Sequence, residues 1–281
     1  ESANPKKKEN EYKLVHQQLQ VAAINSGISF IQNAQNFSSS DKQDELKHCV
    51  SLCDNALKLF QSGIVSDYND QNAVKQWIVY SKAFKAQSLA SIEDANASDV
   101  ESAYNSLIGT EFESISYNAL CNYFRERNTD KYVEYLQKGM EKADAETFPN
   151  FAFMLMQHQF QNDKKDACLE TIQIIKEKCP DNENTINAYL MEGQIYFERK
   201  AFDKAEALFA EAVAKFPNDD RAITMPAKSA WMKAQNSGEK KDMQHAIDLF
   251  LKLQKDYPNE SEYWGEPLYI LYNNINNLTA R

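Results

Sequence analysis

The sequence predicts an all-α protein built as an α-solenoid of antiparallel helix pairs, on three observations. Only 7 Gly and 7 Pro occur in 281 residues, too few turn formers for the many short strands of an all-β fold. Apolar and small residues recur at i, i+4, i+7 in segment after segment, which is the period of one helix face. Pro180, Pro217 and Pro258 close three successive stretches of similar length, which points to stacked units of one solenoid rather than separate domains. With 43% hydrophobic and 26% charged residues the chain has the material for a packed core, which excludes disorder and collagen.

Residues 1–10, with Asn4-Pro5 and the run Lys6-Lys7-Lys8, read as a disordered N-terminal tail. Long helices follow over 11–35, 42–60, 72–91, 99–108, 110–127 and 130–143. Across 11–144 the pairing pattern is degenerate. Trp77, Ser81 and Phe84 form an aromatic, small, aromatic triplet, Cys49, Cys53 and Ala56 form a second-helix triplet, and the polar segments Ser62-Gly63 and 66–69 connect them.

Across 145–258 the pattern is clearer, and its best segment is 186–217. Tyr189, Gly193 and Tyr196 share one face of a first helix, and Ala205, Phe209 and Ala212 share one face of a second. The small residues Gly193 and Ala205 let two backbones approach, Tyr196 and Phe209 fill the space above and below, and Pro217 stops the second helix. Ala152, Met156, Gln159, Cys168, Ile172, Ile175 and Pro180 occupy the same offsets upstream. Downstream, Ala246, Phe250, Leu253 and Tyr257-Pro258 repeat the second helix. That last unit is longer, and its surplus is expected in 236–240 and around Met225-Pro226, with a late start or a kink in the helix between. Residues 259–281 hold an amphipathic run with Tyr263, Trp264, Leu268, Leu271, Tyr272 and Ile275, expected to be a C-terminal capping helix.

These residues resemble the tetratricopeptide repeat, a helix pair of about 34 residues with an aromatic, a Gly, a Tyr, an Ala, a Phe, an Ala and a closing Pro at these offsets. Glu192 departs from the pattern, standing where the family usually has Leu. The resemblance implies a right-handed superhelix of about six repeats plus the cap. It also implies that the first helix of each pair lines a concave face where peptides lie. Carried over position by position, the groove residues are Ile78, Tyr117, Phe153, Leu190 and Trp231, followed one turn later by Lys82, Cys121, Gln157, Gln194 and Gln235. Phe160 and Phe197 add a third apolar position. An apolar row can anchor side chains, and an amide row can bond a partner backbone through its donors and acceptor. The competing reading packs these aromatic residues against the adjacent repeat. One variant of the family grips the C-terminal carboxylate of chaperones with Lys and Asn, but Phe153, Gln157, Leu190 and Gln194 stand at the matching positions here, so that clamp is not expected.

The function implied is a non-enzymatic scaffold binding a protein or peptide partner. A net charge of −10 disfavours nucleic acid, and no apolar run approaches the ~20 residues of a membrane span. No phosphate loop, dinucleotide fingerprint or His-Glu-x-x-His occurs. Acidic residues such as Asp219-Asp220, Asp163 and Asp166 stand at helix starts, where carboxylates cap exposed N–H groups. Cys49 and Cys53, with His48 and His16, carry zinc-ligand chemistry, but Cys49 and Cys168 fall at the small buried slot held by Ala205 and Ala246, so neither metal nor cofactor is expected. An alternative function is small-molecule or glycan binding on an aromatic platform of Trp231, Tyr263 and Trp264. The chain begins at Glu1 without Met, as after signal-peptide removal. The stops Phe216-Pro217-Asn218 and Tyr257-Pro258-Asn259 resemble those of exported bacterial tetratricopeptide proteins that assemble cell-envelope complexes. A periplasmic or envelope-associated location is therefore expected, with the cytoplasm as the alternative.

Overall fold

The structure, a computed structural model, describes residues 5–279, with side chains described over 6–276. The described residues form thirteen α-helices and two short 3-10 turns joined by loops, and no strand occurs among them. The chain divides into two compact units, Glu1–Ala143 and Asp144–Arg281.

In the first unit, α1 (Pro5–Phe37), α2 (Gln43–Phe60), α3 (Gln71–Ser91), α4 (Ala97–Asn105), α5 (Glu113–Phe124) and α6 (Thr129–Lys142) each pack on the next in chain order. The expected 1–10 tail is corrected over 5–10, where α1 is already helical; residues 1–4 lie outside the described part. Pro5 suits a helix start, because its missing N–H falls where no intrahelical partner exists and its φ is preset. The core of this unit is built on Ala23, Ile24 and Ile31 of α1, Ala56 and Phe60 of α2, and Val74 of α3. Phe60 lies on Gly27, where an added Cβ would come within 2.5 Å of the ring, and Trp77 stacks on its other side at 5.5 Å.

In the second unit, α7 (Phe148–Gln161), α8 (Lys165–Lys178), α9 (Thr185–Glu198) and α10 (Phe202–Lys215) are each 14 residues long. They are followed by α11 (Asp220–Ser237), α12 (Lys240–Asp256) and α13 (Gly265–Thr279). The repetition reaches the backbone. The turn inside each pair passes through one left-handed residue, Asp163, Lys200 and Gly238 in turn. Lys164 N donates to Gln159 O and Ala201 N donates to Tyr196 O, both at 2.8 Å, so the first two turns close identically. Each pair also ends alike. Cys179, Phe216 and Tyr257, the residues before the three prolines, share φ between −123° and −131°, and each N–H donates to the carbonyl four residues back at 2.8 Å. A residue preceding proline is driven out of the helical region, which ends all three second helices at one register.

The surplus of the third pair is placed differently from expectation. α11 starts at once after its cap Asp219 and runs through Pro226, so the extra residues lengthen α11 and α12 to 18 and 17 residues instead of delaying a helix. Leu268, Leu271 and Ile275 of α13 bury against the α11–α12 core, while residues 280 and 281 of the expected cap lie outside the described part.

Candidate functional site

The small slot between paired helices explains where the cysteines go. Cys49 Sγ donates to Ala34 O at 3.3 Å across α1 and α2, and Cys168 Sγ donates to Met156 O at 3.5 Å across α7 and α8. All five cysteines are buried and unbridged. Burial raises the Cys168 thiol to about 11, keeping it protonated and unreactive at neutral pH. His48 sets its ring edge-on to Phe37 at 5.4 Å, while His16 bonds Asp67 at 3.0 Å, so the candidate zinc residues point to different partners.

The first helices of the three pairs in the second unit are α7, α9 and α11. Phe153, Leu190 and Trp231 are all half-buried, and Gln157, Gln194 and Gln235, one turn on, are all exposed. Among the described residues the amides of Gln157 and Gln235 have no protein hydrogen-bond partner, whereas Gln194 Nε2 donates to Glu198 Oε1 at 3.2 Å. The Trp231 indole packs edge-on to Phe250 with its N–H unpaired among the described groups.

Three of the groove residues carried over from the resemblance are buried, and this corrects their assignment to an open face. Tyr117 is 4% exposed, its ring 6.5 Å from Tyr135, and Cys121 beside it is closed off as well. Phe197 is 8% exposed, held between Phe202 at 6.3 Å and Phe209 at 6.0 Å. Phe160, at the same register one pair earlier, stays half-buried because Lys165 stands where the later pair has Phe202. Lys165 turns instead to the carboxylates of Glu198 and Asp163. Of the carried-over residues in the first unit, Ile78 packs on the α1–α3 core. Lys82 lines a cleft of about 420 Å³ between α2 and α4, its Nζ donating to Ser106 O at 3.4 Å.

The aromatic residues of the proposed platform serve the core. Trp264 Nε1 donates to Tyr257 O at 3.1 Å, Tyr263 meets Tyr257 edge to face at 5.8 Å, and all three pack with Trp231 on the α11–α13 cluster. Sequence reading also missed the polar ties between neighbouring helices. Lys233 reaches Asp203 at 2.6 Å and Asp242 at 3.6 Å, and His245 reaches Glu206 at 2.7 Å. The Lys233–Asp203 and His245–Glu206 partners, 30 and 39 residues apart, leave no local signal.

The fold and this face define an all-helical protein of sequentially packed helix pairs. No family model matches the chain, and no curated protein matches it in sequence. No helix among the described residues is long and apolar enough to cross a membrane.

Proposed function

We propose that this is a non-enzymatic interaction protein of tetratricopeptide type whose α7–α9–α11 face receives an extended peptide of a partner protein. One observation carries the reading: three helix pairs with matching backbone turns and ends present an apolar residue half-buried and a glutamine exposed at the same register each time. Side chains selected only for packing have no reason to repeat an amide at an exposed position. An extended peptide has a backbone donor and acceptor at every residue and alternating side chains, which suits an amide row beside an apolar row. The cellular setting we propose is the cell envelope, on the likeness of the Phe216-Pro217-Asn218 and Tyr257-Pro258-Asn259 stops.

The test is selection of binders from a random peptide library, followed by fluorescence anisotropy with the selected sequences. Gln157→Ala/Gln235→Ala is expected to weaken binding by about tenfold, roughly 1.4 kcal/mol in total for the lost hydrogen bonds. Trp231→Phe keeps an aromatic ring but gives up the unpaired N–H and part of the indole's packing area, and a modest drop in unfolding temperature is expected. Selected peptides whose affinity is indifferent to the glutamine pair would assign this face to packing alone.

A further inference from the structure

Two helix faces lie uncovered and carry opposite charge. On α1, every described residue from Lys6 to Val15 is exposed. Its exposed large apolar side chains lie over this stretch and the turns after it, Tyr12 at 75% exposure with Val15 and Leu19 on the same side and Leu14 and Val21 on the opposite side. α1 has 33 residues against 18 in α2, so its first turns run without a helix beside them in this unit. A lone helix in water is only marginally stable, and cover on this face would stabilise it. On α13 the face away from α12 exposes Tyr269 at 72% together with Tyr272. The outer helix of a monomeric repeat array is ordinarily polar.

The charges around these faces are complementary. Lys6, Lys7, Lys8 and Lys13 stand on α1, where Lys13 engages Glu9 at 2.9 Å and Glu11 is the remaining carboxylate. Asp256, Glu260, Glu262 and Glu266 are all exposed around the start of α13, and no lysine or arginine occurs between Lys255 and Arg281.

We propose that both faces are covered by a second copy of this chain in head-to-tail contact. The apolar side chains of α1 in one copy seat on Tyr269 and Tyr272 of the next, with the lysines over the carboxylates. Pairing α1 on α1 would bring lysine clusters together, and pairing α13 on α13 would bring carboxylates together; like charges disfavour both. A contact of this kind made once between two copies leaves one of each face free, so copies add in a series that runs on or closes into a ring. The contact uses none of the residues of the peptide face and stands independently of it.

Analytical ultracentrifugation of the purified 281-residue chain tests this. The average mass is expected to rise past that of a dimer with concentration and to fall when salt screens the contact. Val15→Ser/Leu19→Ser and Tyr269→Ser/Tyr272→Ser change exposed side chains, so their helical melting curves are expected to match the parent. Each variant alone is expected to self-associate at least about tenfold more weakly. A mixture of the two is expected to form one-to-one dimers and nothing larger, since each contributes one intact face. A parent chain that stays monomeric at every concentration overturns the proposal. So does a serine variant that self-associates like the parent, because it would show one face pairing with itself.

Discussion

Lys176 on α8 places its Nζ 3.0 Å from Glu192 Oε2 on α9 and 4.0 Å from the centroid of the Tyr189 ring. Both charged side chains are nearly enclosed, at 11% and 13% exposure. Tyr196 completes the site by donating its hydroxyl to Glu192 Oε1 at 2.9 Å. Burial, and then that hydrogen bond, pushes the Tyr196 phenol up to about 12, so it remains a donor at any ordinary pH. The carboxylate where a tetratricopeptide repeat would have leucine is thus half of an ion pair joining successive helix pairs.

Removing only the carboxylate leaves the lysine enclosed without its counter-charge. Glu192→Leu is expected to destabilise by about 3 kcal/mol. Lys176→Met/Glu192→Leu, which replaces both charges with apolar groups, is expected within about 1 kcal/mol of the parent. Urea unfolding midpoints for the four proteins of the double-mutant cycle decide the matter. If the double variant loses the sum of the two single losses, the pair is not coupled.

Gly193 and Phe209 define the closest approach of α9 and α10. A Cβ on Gly193 would stand 2.0 Å from Phe209 Cζ, and the ring is fully buried with no free side to move into. Gly193→Ala is therefore expected to destabilise by about 1–3 kcal/mol, as overpacking does, despite alanine's higher helix propensity. Adding Phe209→Leu trims the clashing ring atoms and is expected to recover part of that loss. Calorimetric melting that shows Gly193→Ala at or above the parent temperature would contradict this packing.

Asp219 caps α11, accepting from Arg221 N at 2.9 Å and Ala222 N at 3.3 Å, with Arg221 Nη2 at 2.7 Å. The Arg221 side chain, and then the capped backbone N–H groups, hold this carboxyl below the usual carboxylate range. The unfolded chain therefore binds the proton first. The contribution is present above pH ~4 and is lost as pH falls through the lower folded value. Asp219→Asn keeps an acceptor for the cap but has nothing to titrate. It is expected to lose less than about 1 kcal/mol at pH 7 and to show a shallower decline below pH ~4. Parallel stability curves for the two proteins would remove Asp219 from the acid limb.

Helix period and punctuation were legible along most of the chain. The six helices expected over 11–143 all occur. The three prolines mark helix ends because each forces its predecessor out of the helical region, a constraint that acts within two residues. Local signals failed where two of them competed. The 1–10 segment looked like a tail because it is charged and carries proline, yet proline at a first turn is compatible with helix. Pro226 signals a late start or a kink, but the capped start at Asp219 and the buried Ala222, Ile223 and Ala227 carry α11 through it.

The candidate face divides in the same manner. Its residues were placed by the resemblance to the tetratricopeptide repeat, and helical geometry then sets Phe153 and Gln157, Leu190 and Gln194, and Trp231 and Gln235 one turn apart. Their exposure was not legible. Phe160 and Phe197 hold one register position, and only the residue opening the next helix separates them. Phe202 closes over Phe197, while Lys165 turns away to Glu198 and leaves Phe160 partly open. Similarly, Glu192 read alone is an anomaly, and only the packing of α8 on α9 supplies Lys176.

The sequence by itself determined the helices and the helix ends before the three prolines, because helix period and proline act through contacts a few residues long. The tertiary structure decided which side chains of the candidate face remain open and which charges are satisfied. Burial and ion pairing depend on groups that meet only after the helices have packed.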